Sequence, residues 1–347
     1  MNNSAMDDVE SGELSAADEL SAVSKKGYRL LRQNRLAEAI ACFDEVLGAD
    51  AGNNYALVGM GDAFRKQGEF RKAIEHYRQC IEFYPDNTYA MFGLADCHRF
   101  FGQYDKAIVM WERYLVHDGD NINVLTRVAN AHRKLRRFAD AKTVFLRVLE
   151  LDTDNAYALI GLGHLHYDVR EYAESMTYWN RMLAINNDSA DVRVLTSIGN
   201  CHRRLKTFDQ GVPFFERVLE REPDNSYAIF GIADCFRGMN EHVRALKYWN
   251  RILETDPRNK VILTRAGDAC RSIGENEAAQ SYYERALDVE FDVYAVLGLA
   301  LVAKVQGRYA DAIASLQKLA QQDPGNQRVA TELAECHAKM GTQPGEP

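Results

Sequence analysis

A unit of about 34 residues recurs about nine times between Leu20 and Asn326, and this period constrains the fold more than any other feature of the chain. Three copies show it. Asn54-Tyr55-Ala56-Leu57-Val58-Gly59-Met60-Gly61 leads to Ala73, Tyr77 and Pro85. Thr88-Tyr89-Ala90-Met91-Phe92-Gly93-Leu94-Ala95 leads to Ala107 and Trp111, and Ser226-Tyr227-Ala228-Ile229-Phe230-Gly231-Ile232-Ala233 leads to Ala245, Trp249 and Pro257. Each copy fits a helix–turn–helix. A single copy cannot bury its apolar face, so only stacking on neighbours makes a continuous core. The chain is therefore expected to be an all-α solenoid presenting a long surface to other chains.

The punctuation agrees. Repeats start near residues 20, 54, 88, 122, 156, 192, 226, 260 and 293. Ala190 and Asp191 are extra before the sixth repeat, and the eighth repeat is about one residue short. Both irregularities fall between repeats, where indels are best tolerated. Gly68, Gly102, Gly274 and Gly307 sit just past a first helix, where a left-handed residue ends it. Asp86-Asn87, Asp154-Asn155 and Asp224-Asn225 precede the next first helix as caps. Residues 1–18 read as a disordered acidic tail, 19–326 as the solenoid, 327–341 as a capping helix and 342–347 as a flexible end. The capping helix would turn Arg328, Glu332, Glu335 and Lys339 outward.

From the third repeat to the eighth, two types alternate, so the larger unit is about 68 residues. One type carries Trp in its second helix, at Trp111, Trp179 and Trp249. The other reads Val124-Leu125-Thr126, Val194-Leu195-Thr196 and Ile262-Leu263-Thr264, with Phe145, Phe215 or Tyr283 in place of Trp.

Charge narrows the partners. A net charge of −8 disfavours both a phosphate backbone and an anionic membrane surface. The start of the chain lacks the apolar core of a secretory signal, and no apolar run reaches membrane-span length, which points to the cytoplasm. The seven cysteines are odd in number and form no Cys-x-x-Cys; Cys97, Cys201, Cys235 and Cys336 share one repeat position. They read as small buried hydrophobes in a reducing compartment.

The unit resembles the tetratricopeptide repeat, and the resemblance covers nearly all of the chain outside the tails. It rests on Leu57, Met60-Gly61, Phe64, Ala73, Tyr77, Cys80 and Pro85 in the second repeat, and on Val296, Leu299-Ala300, Ala303, Ala312, Leu316, Leu319 and Pro324 in the last. Ser175 and Gly211 depart from the usual small Ala of the second helix, and Lys26 from the usual Leu. The resemblance implies a right-handed superhelix whose first helices line a concave groove through positions two, five, six, nine, twelve and thirteen. It also implies that a chaperone-tail clamp needs Lys at position five. That position holds Val58, Phe92, Thr126, Ile160, Thr196, Phe230, Thr264 and Leu297, so no clamp is expected.

Three patterns fall on those positions. Position nine runs Asp62, Asp96, Asn130, His164, Asn200, Asp234, Asp268, and position twelve runs Arg65, Arg99, Arg133, Tyr167, Arg203, Arg237, Arg271. Three residues apart, they share a helix face, and mutual neutralisation is the plain reading. In the middle, Arg133 and Arg203 face neutral Asn, and Arg127, Lys134, Arg193 and Arg204 add charge, partly offset by Asp168. Tyr55, Tyr89, Tyr157, Tyr227 and Tyr294 hold position two, followed by Gly59, Gly93, Gly161, Gly231 and Gly298 at position six. A helical glycine costs roughly 1 kcal/mol against alanine, so these sites reflect either close packing of a neighbouring first helix or a floor left open for a ligand. His98, His132, His166, His202 and His337 are expected to be partly buried core residues; His164 and His166 are too close in sequence for a helical metal pair.

No catalytic motif and no cofactor or metal site is read from the chain. The expected function is a non-catalytic protein-interaction scaffold binding an extended, acidic peptide or partner segment in the groove. Arg127, Arg133, Lys134, Arg193, Arg203 and Arg204 would supply charge. Asn130 and Asn200 would bond the ligand backbone, with Tyr89, Phe92, Tyr157, Tyr227 and Phe230 as apolar contacts. The alternatives are a self-assembling homo-oligomer and an intramolecular one, in which Asp7, Asp8, Glu10 and Glu13 bring the tail into the groove.

Overall fold

Helix follows helix in pairs that match the repeat. The structure, a computed structural model, describes residues 16–185 and 191–341. Residues 1–15, 186–190 and 342–347, including most of the expected tail, the flexible end and the extra Ala190, lie outside them. The described residues hold nineteen α-helices and no strand. The pairs are α1 (Ala16–Arg32) with α2 (Leu36–Ala49), α3 (Asn54–Gln67) with α4 (Phe70–Phe83), and α5 (Thr88–Phe100) with α6 (Tyr104–His117). Next come α7 (Ile122–Lys134) with α8 (Phe138–Leu151), then in chain order α9 (Ala156–Asp168) and α10 (Tyr172–Ile185), and α11 (Val192–Leu205) with α12 (Phe208–Arg221). The last pairs are α13 (Ser226–Gly238) with α14 (His242–Thr255), α15 (Lys260–Ser272) with α16 (Asn276–Val289), and α17 (Val293–Val305) with α18 (Tyr309–Gln322). A final helix, α19 (Gln327–Gly341), follows. Helix α1 begins at Ala16, inside the segment expected as tail. Two compact units, parted between Leu165 and His166, make up the chain.

The turns follow from backbone chemistry. The side chains of Asn53, Asn87, Asn121, Asn225 and Asn259 accept from the N–H three residues on, each contributing about 1 kcal/mol. At the other end of each first helix, position fifteen is left-handed in all nine repeats. Four are the expected glycines. The other five are Asn34, Arg136, Arg170, Lys206 and Asn240, with φ between 60° and 66°. The closing hydrogen bond that demands this geometry persists without glycine: Thr207 N–H donates to the His202 carbonyl at 2.9 Å, as Glu69 N–H does to that of Phe64.

One aromatic side chain from each of the first eight second helices fills the core, and Leu316 takes the place on α18. Phe43, Tyr77, Trp111 and Phe145 in the first unit, and Trp179, Phe215, Trp249 and Tyr283 in the second, are fully buried. The helical glycines exist for these rings. A Cβ on Gly93 would lie 2.2 Å from Tyr77, and one on Gly231 would lie 2.4 Å from Phe215. Both sequence readings of these glycines are thereby corrected: the neighbour is a side chain of the preceding second helix, and the ring closes the floor.

A further tie runs along each unit. Arg113 donates to the Pro85 carbonyl at 2.8 Å and Arg147 to that of Gly119 at 2.8 Å. In the second unit Arg251 donates to the Pro223 carbonyl at 2.7 Å. In each case the arginine lies two residues after the buried ring of its second helix, Trp111, Phe145 or Trp249.

Candidate functional site

The tyrosines at position two stand clear of the core that the same helices build. Tyr55, Tyr89 and Tyr157 in the first unit are 66%, 77% and 72% exposed; Tyr227 and Tyr294 in the second are 78% and 71%. Helical spacing explains the contrast: positions three and four, such as Ala90 and Met91, turn inward and are fully buried or nearly so.

Below the tyrosines lies a charged node in each unit. The buried Asp96 receives Arg127 at 2.6 Å, Arg99 at 3.2 Å and Arg65 at 3.6 Å. In the second unit Asp234 receives Arg265 at 2.6 Å, Arg237 at 2.7 Å and Arg203 at 3.4 Å. Each carboxylate thus takes one guanidinium from its own helix and one from the first helix on either side. Arg127 also lies over the Phe92 ring at 4.9 Å, and Arg265 over Phe230 at 5.0 Å. Burial works to raise the Asp234 carboxyl, but Arg237, Arg265 and Arg203 outweigh it and hold it below the usual carboxylate range.

This pairing revises the basic centre read from the sequence. Arg203 does not depend on Asn200; Asp234 of the next repeat meets it. Asp96 of the preceding repeat likewise meets Arg127. Arg193 is bound by the adjacent Asp191 at 2.6 Å, and Arg204 by the Tyr167 hydroxyl. Arg133 is half-buried and Lys134 exposed, both on α7 in the first unit, whereas Arg193, Asn200, Arg203 and Arg204 belong to the second. Asn130 donates to the Thr126 carbonyl at 2.9 Å, so one of its amide hydrogens is already engaged. The cross-repeat pairs span 31 residues, a separation that inspection of single helices misses.

The first-unit node opens onto a pocket of about 620 Å³. Arg65, Tyr89, Phe92, Tyr114 and Arg127 are among its lining residues. A second pocket in this unit, of about 760 Å³, lies between Lys25, Tyr28, Tyr55 and Tyr89.

Models of the tetratricopeptide repeat match residues 24–87, 58–121 and 127–191, then 192–225, 227–259, 262–293 and 306–342. The chain belongs to the tetratricopeptide-repeat family. That fold is in general a non-catalytic protein-interaction scaffold. Among solved structures, a MamA protein is 22% identical over 49% of this chain and 92% of its own, with a TM-score of 0.45. YrrB, described as a TPR protein with an unusual peptide-binding site, is 18% identical over 54% of this chain and 95% of its own, with a TM-score of 0.49. A tetratricopeptide repeat protein from Parabacteroides merdae is 14% identical over 82% of this chain and 98% of its own, with a TM-score of 0.39. No curated protein matches the chain.

Within these tetratricopeptide repeats, His98, His132 and His166 are buried and His202 is half-buried. His337 departs from the expectation: it is exposed on α19. The ring of His98 meets Gln103 at 2.8 Å, that of His166 meets Glu171 at 2.6 Å and that of His202 meets Thr207 at 2.9 Å. All seven cysteines are buried and free. Burial pushes the Cys97 thiol up to about 12 and those of Cys201 and Cys235 to about 11. No helix among the described residues is long and apolar enough to cross a membrane.

Proposed function

We propose that this protein is a non-catalytic scaffold that holds an extended peptide or partner segment, acidic in character, on its first helices. The observation that carries this reading is the set of tyrosines in each unit, every one more than three-fifths exposed while the alanine that follows it in the helix is fully buried. Large, rigid rings left in water on an ordered helix contribute little to folding. They suit contact with a partner, because few rotamers are lost when they are covered. The arginines of positions six and twelve favour carboxylates beside those rings through paired N–H donors.

The test is capture from native lysate. Wild type is compared with a Tyr89→Ser/Tyr157→Ser variant and a Tyr227→Ser/Tyr294→Ser variant, with bound proteins identified by mass spectrometry. These substitutions remove no core side chain, so the helical signal and melting should stay unchanged. Partners lost from the variants support the reading. Identical partner sets for all three proteins overturn it, and recovery of the chain alone, with light scattering above monomer mass, favours self-assembly instead.

A further inference from the structure

We propose that the chain carries one site twice, once in each unit, and so takes two copies of a partner segment in which a carboxylate side chain neighbours a large apolar one. This rests on the scaffold reading and specifies its ligand and valence. The two nodes are built from the same set of partners. Asp96 and Asp234 each hold one arginine at 2.6 Å from the following first helix. Each also holds its own-helix arginine, at 3.2 Å or 2.7 Å, and one from the preceding first helix at 3.6 Å or 3.4 Å. In both, the following arginine covers a phenylalanine, at 4.9 Å and 5.0 Å, with an exposed tyrosine three residues before that ring.

Packing alone does not require this set. Three repeat pairs share the buried tryptophan, at Trp111, Trp179 and Trp249. The pair containing Trp179 has Ile160, His164, Tyr167 and Ser197 at the four equivalent positions. A fully buried tryptophan is therefore kept at this position without the residues of the node. What the node adds is positive charge beside an aromatic surface. In the second unit three guanidinium groups meet Asp234. In the first unit Asp62 also shares Arg65, which leaves a smaller surplus. Arg99 and Arg237 are about half exposed, so they can turn N–H donors toward an incoming carboxylate. Phe92, Tyr89 and Tyr114 give the first-unit pocket of about 620 Å³ an apolar wall for the neighbouring side chain.

The probe is acetyl-Gly-Asp-Phe-Asp-Gly-amide, taken to saturation by equilibrium dialysis against the full chain. Two peptides should bind per wild-type chain. Arg127→Ser and Arg265→Ser, each using the residue the chain already places at Ser197, should each bind one, and the double variant none. Replacing the peptide's Phe by Ala, or both Asp by Asn, should weaken uptake about tenfold or more. Circular dichroism establishes that the variants are folded. No uptake by wild type, a single site in wild type, or two sites kept in either single variant overturns the duplicated site. A lysate partner that is lost with the tyrosine variants but kept by Arg127→Ser/Arg265→Ser overturns it while leaving the scaffold reading intact.

Discussion

Tyr77 donates its phenolic hydrogen to Asp62 across 2.7 Å, and Tyr283 repeats the bond to Asp268 at 2.8 Å. Where the buried ring is Phe145 or Phe215 and has no hydroxyl, the equivalent first-helix residue is Asn130 or Asn200. In these four repeats the residue at position nine thus matches the ring beneath it, an acid with a phenol and an amide with a phenyl. Burial, together with the neighbouring carboxylate, raises both phenols well above their usual range, so they stay protonated donors.

Tyr77→Phe should therefore destabilise the first unit by about 1 kcal/mol, because Asp62 loses a partner while the packing is kept. Adding Asp62→Asn recreates the Phe–Asn pairing of the fourth repeat. Urea denaturation of the two single variants and the double variant should show the double less destabilised than the sum of its parts. Strict additivity would refute the coupling.

Gly93→Ala should destabilise by about 1–3 kcal/mol, although alanine is the better helix former by about 1 kcal/mol. The new Cβ would fall 2.2 Å from the Tyr77 ring, which is fully buried and has nowhere to move. Denaturant midpoints decide this, and a stabilised variant would show that the ring can yield.

Lys206→Gly should stabilise by about 1 kcal/mol, since Lys206 holds φ 62° at a position where four other repeats use glycine. Gly68→Ala, at φ 83° with open space around it, should lose stability for the converse reason. Melting temperatures of the two variants should shift in opposite directions.

Stability should fall as the pH drops below about 6.5, the ordinary value of histidine in an unfolded chain. Burial lowers His98 and His202 in the folded protein, so across this window the unfolded state binds more protons. The loss begins as the unfolded histidines charge and ends only once the folded ones charge too. His98→Phe/His202→Phe uses the ring found at Phe64 and Phe236 and should flatten thermal unfolding profiles between pH 7 and pH 5. An unchanged slope would place the pH sensitivity elsewhere.

The repeat period, the paired helices, the asparagine caps and the burial of the cysteines were legible along the chain, because each depends on residues within one or two helical turns. The positive-φ turns at Arg136 and Lys206 were not, since the closing hydrogen bond belongs to the backbone and leaves no mark on residue type. Nor was the partner of Gly93. Helical periodicity assigns a residue to a face, but which side chain meets that face depends on how far the preceding second helix is offset. The same limit applied to charge. Spacing within a helix pairs Arg237 with Asp234, whereas the links from Arg203 and Arg265 come from helices on either side. Sequence alone determined that paired helices would form and that the cysteines would be buried in them. Only the tertiary structure decided which cations remain beside which rings, because those contacts arise from the stacking of one repeat on the next.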